Sequence, residues 1–138
     1  MKKRRPLRIL DASAVVELFA GHPKAMKELQ AATDGDLLLS LPALAVAEAQ
    51  AALRLPASTW YHFFGHRGVH EQALSWHGAL NAGLLAATRL EHHPMQAALI
   101  GPIMVGQVVD EATAMHAPIV TRIPEAYGAY DVTLRVLD

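Results

Sequence analysis

The chain contains no cysteine, which excludes disulfides, thiolate metal sites and thiol catalysis and fits a reducing cytoplasm. Charge is also scarce. Asp, Glu, Lys and Arg make up 18% of 138 residues, and 12 basic against 13 acidic side chains leave the body without a bias toward nucleic acid or membrane. No long apolar run exists. The longest uncharged stretch, His92 to Val109, is interrupted by Pro94, Gln96, Gly101, Pro102, Gly106 and Gln107, so its apolar core is too short to span a bilayer. Arg8, Asp11 and Glu17 break the apolar segment behind the basic start, which is not the pattern of an export signal. A Gly-rich phosphate loop, a nucleophile elbow and a Cys/His grid are likewise missing.

What is present is an apolar chain, 52% hydrophobic, of a length that suits one domain over residues 1–138, with 1–6 as a solvated basic tail carrying Lys2, Lys3, Arg4 and Arg5. Short apolar runs bounded by polar residues predict buried strands at Leu7–Leu10, Leu37–Leu41, 117–122 and Val132–Leu137. Between them lie helical patterns. Ser13 is expected to cap a first helix closed by Gly21 and Pro23, a second runs from Pro23 to Ala32, and Pro42 opens an alanine-rich third to about Leu53. Residues 58–68 read as a short helix and a turn, Glu71–Leu90 as an amphipathic helix with Leu74, Leu80, Leu84 and Leu85 inward, and Ile103–His116 as another helix. Strands alternating with helices imply an open parallel sheet covered on both faces.

In such sheets ligands bind beyond the carboxyl ends of the strands, and Asp11 stands at one, where an acid is expected to face a site rather than the core. Glu48 is the only acid in "LPALAVAEAQAAL". Two carboxylates at one sheet edge repel unless a cation lies between them, and Mg²⁺ or Mn²⁺ takes oxygen ligands of this kind. Asp110 is a further candidate acid one helix later, with Glu111 a weaker one. His62, His66 and His70 recur at intervals of four, but Gly65 and Gly68 argue against a continuous helical row of ligands. Trp60, Tyr61, Phe63 and Phe64 suit core closure, base stacking or a dimer surface.

The strand ending in "LDAS", then "LPALAVAEAQAAL", then "APIVTRIPEAY" resembles PIN-domain proteins, particularly the small VapC-like toxins of toxin–antitoxin pairs, in family order from Ile9 to Tyr127. The resemblance implies an α/β fold, a three-layer α/β/α sandwich around a central, mainly parallel sheet. It implies Mg²⁺- or Mn²⁺-dependent cleavage of RNA, a small antitoxin partner and a homodimer. Asp11 matches the first metal-binding aspartate, Ser13 the hydroxyl residue that follows it, Glu48 the acid of the second motif and Thr121 the threonine of a terminal "T-x-D". Ile123 stands where that last acid belongs, and the remaining acid falls near Val105 or Gly106. Asp11 and Glu48 then hold one weakly bound ion, with Asp110 as a substitute ligand. Two functions follow: a metal-dependent ribonuclease toxin with an incomplete acid set, or a catalytically inactive PIN-fold binding or assembly module.

Overall fold

A computed structural model describes residues 5–92 and 99–138. Its elements in chain order are β1 (Leu7–Leu10), α1 (Ala12–Phe19), α2 (Pro23–Thr33), β2 (Leu38–Pro42), α3 (Ala43–Leu53), α4 (Ala57–Phe64), β3 (Val69–Gln72), α5 (Trp76–His92), α6 (Pro102–Met115), β4 (Ile119–Thr121), a 3-10 turn (Pro124–Tyr127) and β5 (Leu134–Val136). The five strands form one all-parallel sheet in the order β3-β2-β1-β4-β5. Lys2, Lys3 and Arg4 of the basic tail lie outside the described residues. Among the described residues no helix is long and apolar enough to cross a membrane.

Side chains on a strand alternate between its two faces, and here the alternation builds two cores. Leu10 and Val120 join Val15 and Leu18 of α1, Leu39 and Leu41 of β2 and Phe63 of α4 on one side. Ile9 and Ile119 join Met104, Val105, Val108 and Val109 of α6 on the other. The result is the parallel sheet covered on both faces that the alternating pattern implies, and the α/β/α sandwich that the resemblance implies. Phe63 is buried and Trp60 and Phe64 pack beside it, with Phe19 5.0 Å from both Trp60 and Phe63 between ring centres, so these aromatics close the first core. Tyr61 alone of that group is strongly exposed.

Three expectations are corrected. β3 falls where no strand was expected, because an edge strand needs only one inward residue, here Val69, while His70 and Glu71 remain exposed and mask the apolar signal. α5 therefore starts at Trp76, not Glu71. Leu80 and Leu84 point to solvent, 59% and 72% exposed, while Ala82 and Ala86 are buried against α6. The cause is Gly106: a Cβ there would lie 2.2 Å from the carbonyl oxygen of Ala82, so the two helices approach until only small residues fit between them.

Candidate functional site

Asp11 follows the last residue of β1 and is the N-cap of α1, its extended backbone turning the chain into the helix. Its side chain, not that of Ser13, caps the helix: Oδ1 accepts from the Ala14 N–H at 2.9 Å and from Ser13 Oγ at 2.7 Å. The other oxygen, Oδ2, accepts from the Tyr127 hydroxyl at 2.7 Å. Ser13 Oγ lies 3.2 Å from Thr121 Oγ1 and accepts from the Arg122 N–H, and Thr121 Oγ1 accepts from the Ile123 N–H. Asp11, Ser13 and Thr121 are thus brought together as the sequence suggests. The cluster is closed, however. Asp11 and Thr121 are fully buried and Tyr127 nearly so, which overturns the expectation that Asp11 faces an open site. Burial drives the Asp11 carboxyl above its ordinary value, against the hydrogen bonds from Thr121, Ser13, Ala14 and Tyr127.

Glu48, half-buried on α3, accepts from the N–H of Gly101, the N-cap of α6, at 3.1 Å. A carboxylate there complements the positive end of the helix, and a Cβ at Gly101 would stand 2.4 Å from Glu48 Oε2, so a larger residue there would have to displace the carboxylate. Val105, one of the two positions to which the resemblance assigns a further acid, is fully buried with Ile9, Ala12 and Ala45, and Ile123 packs against the same cluster. Among the described residues no group of three or more His, Asp or Glu side chains is placed to hold a metal ion. His62 and His66 rings touch, with centres 5.3 Å apart, but His70 lies beyond the turn on β3.

Asp110 and Glu111 line a separate cleft of about 240 Å³ with Gln72, Leu74, Ser75 and Asn81, whose walls include neither Asp11 nor Glu48. Gln107, missed as a structural residue, organises its inner end. Its Oε1 accepts from the Leu44 N–H at 2.8 Å, which turns its amide to donate to Glu111 Oε1 at 3.1 Å. Glu111 Oε2 is buried and has no hydrogen-bond partner among the described residues. Burial pushes the Glu111 carboxyl up from 4.5 to about 7, the Asp110 charge adding to the rise and Gln107 opposing it. Because the folded value is raised, this carboxyl costs nothing below its unfolded value and destabilises increasingly as pH rises through about 7. Glu111→Gln is therefore expected to match the wild type in acid and exceed it by on the order of 2 kcal/mol near pH 8, measured by urea unfolding across pH.

The fold is that of a PIN-like domain, the fold of the VapC and FitB toxins. No family model and no curated protein matches the sequence. Among solved structures, the chain is similar to one in VapBC2 from Rickettsia felis bound to a DNA fragment from its promoter, with a TM-score of 0.66, 16% identity, and 96% of this chain and 99% of that one covered. It is also similar to a chain of a toxin–antitoxin complex from Klebsiella pneumoniae, with a TM-score of 0.59, 11% identity and coverages of 95% and 98%. FitAcB from Neisseria gonorrhoeae gives 0.58, 15%, 92% and 95%.

Proposed function

We propose that this chain is a toxin-type PIN-fold module that acts by binding a small antitoxin-like partner in the cytoplasm, its metal-dependent ribonuclease chemistry having been lost. The observation that carries this reading is Asp11. Metal-assisted phosphodiester hydrolysis needs a carboxylate open to a cation and to the water that the cation acidifies. Asp11 is sealed from solvent, and Ser13, Ala14 and Tyr127 already hydrogen-bond its two oxygens. Glu48 is engaged at the start of α6, and Val105 and Ile123 supply no oxygen where the pattern has acids. These residues do not fit Mg²⁺ or Mn²⁺, and no catalytic step is derived through either. The similarity to chains of toxin–antitoxin complexes supports the partner class.

The uncharged stretch Ala97–Val109 gives the expected homodimer no apolar face, since Met104, Val105, Val108 and Val109 fill the chain's own core and Ala97 lies outside the described residues. A different face replaces it. Trp76, Leu80 and Leu84, one turn apart on α5, are each more than half exposed. The homodimer is assigned to this stripe.

Calorimetric titration with Mn²⁺ is expected to give no binding heat, a mixed RNA pool to stay intact with or without metal, and light scattering to give twice the chain mass. Co-expression with the product of a neighbouring small antitoxin-like gene is expected to give a stable complex. Tight binding of two ions with brisk, metal-dependent cleavage would falsify the loss of catalysis.

A further inference from the structure

A second groove lies away from Asp11, between α2 and the edge strand β5. It measures about 650 Å³ and is lined by four basic residues, Arg8, Lys24, Lys27 and Arg135, against one acid, Glu28. Its floor is aliphatic, with Ala31, Leu37, Val120 and Leu137 of the first core. Glu28 is nearly buried, held by Arg135 at 2.9 Å and by Arg8 at 3.9 Å. The remaining charge is cationic. Lys27 has no ion pair among the described residues, and the buried Nε of Arg8 has no hydrogen-bond acceptor. Lys24 takes the exposed carboxylate of Asp138, so the rim already accepts one carboxylate from solvent-exposed chain. α2 has no acid in its first turn, so Lys24 and Lys27 add their charge to the positive end of its dipole. A helix optimised only for stability would place acids there.

β5 adds a second recognition element. It pairs with β4, and among the described residues no strand pairs with its other edge. An open edge offers main-chain donors and acceptors to an extended segment, with alternate side chains falling into pockets beside it. No aromatic side chain lines the groove, so there is nothing on which bases would stack, whereas the aliphatic floor suits apolar side chains. We propose that this groove and the outer edge of β5 dock an acidic, extended peptide segment of a partner protein. Apolar residues of that segment lie on the aliphatic floor, and its carboxylates meet Lys24 and Lys27. The proposal holds whether or not Asp11 binds metal.

The test is fluorescence anisotropy on the intact chain with a short labelled peptide alternating Glu and Val. Its controls are a peptide alternating Lys and Val and a single-stranded RNA oligonucleotide. The Glu–Val peptide is expected to bind saturably, and more weakly as salt rises. The exposed pair Lys24→Glu and Lys27→Glu, with an unchanged melting curve, is expected to weaken binding about tenfold, with the glutamine pair falling between. Amide hydrogen exchange at Leu134 and Val136 is expected to slow when the peptide is added, which charge attraction alone does not produce. Failure of the Glu–Val peptide to bind, equal binding of the Lys–Val peptide, or tighter binding of the RNA would overturn the proposal. So would binding that survives charge reversal or leaves β5 exchange unchanged.

Discussion

Gly106→Ala is expected to lower stability by about 3 kcal/mol or more, a fall of roughly 10 °C in melting temperature for a domain of this size. The added methyl has nowhere to go. It would sit 2.2 Å from the Ala82 carbonyl oxygen and 3.1 Å from the Ala82 Cα, both backbone atoms of α5 that no side-chain rotation relieves. α6 supplies Met104, Val105, Val108 and Val109 to the second core, so forcing α5 and α6 apart loosens that whole face of the sheet. Gly83→Ala provides the control. A Cβ at Gly83, within α5, meets nothing within 4 Å, and there alanine should stabilise by about 0.5–1 kcal/mol through helix propensity alone. Opposite signs for two glycine-to-alanine changes in adjoining helices, measured by thermal and urea unfolding, test the close-packing account. Similar small effects at both sites would remove it. The same packing bears on restoring an acid: Val105→Asp would place a charge among Ile9, Ala12 and Ala45 and is expected to unfold the chain before it rebuilds a metal site.

The layered fold was legible because it rests on patterns the chain displays locally. Ile9–Leu10 and Ile119–Thr121 are buried on both faces, and turns at Gly21 and Gly35, both at positive φ, follow α1 and α2. β3 was not, since "VHEQ" at a sheet edge carries one apolar residue facing in and is a strand only because β2 pairs with it. The direction of α5 was misread for a related reason. Hydrophobic periodicity assigns leucines to the interior, but interhelical distance, set by a glycine in another helix, decides which side chains fit. At the site, Asp11 was legible as an acid at a strand end, while Ser13 and Thr121 came only from the resemblance in "LDAS" and "APIVTRIPEAY"; the ends of β1 and β4 bring the three together. Tyr127 was missed as the partner of Asp11, since only the 3-10 turn after β4 carries its hydroxyl back over the end of β1. One signal for Gln107 did exist. It is the lone amide in "PIMVGQVV", and a polar residue flanked by buried valines must find partners, which it does in Leu44 and Glu111.

Substitutions at Asp11 are expected to separate a structural carboxyl from a metal ligand. Asp11→Ala removes the cap of α1 and the carboxylate that the buried Ser13 and Tyr127 hydroxyls donate to, a combined loss of about 2–4 kcal/mol in metal-free buffer. Asp11→Asn behaves differently. Its Oδ1 still accepts from Ala14 and Ser13, and its amide can donate to the Tyr127 oxygen once that hydroxyl rotates. It also removes a carboxyl whose ionisation burial opposes. The sign follows from the raised value in the folded state: Asp11 costs nothing below its unfolded value of 3.8, and the wild type loses stability as pH climbs through the raised one. Asp11→Asn should therefore equal the wild type in acid and match or exceed it at neutral pH, while Asp11→Ala stays below both. Tyr127→Phe, which removes one of the buried carboxyl's donors, should cost about 1–3 kcal/mol. Added Mn²⁺ should shift no melting curve in the series. An open metal-binding carboxylate would give the reverse pattern. Asp11→Ala would then be close to neutral without metal, Tyr127→Phe would be silent, and Mn²⁺ would raise the melting temperature of the wild type alone, because binding to the folded state stabilises it by mass action.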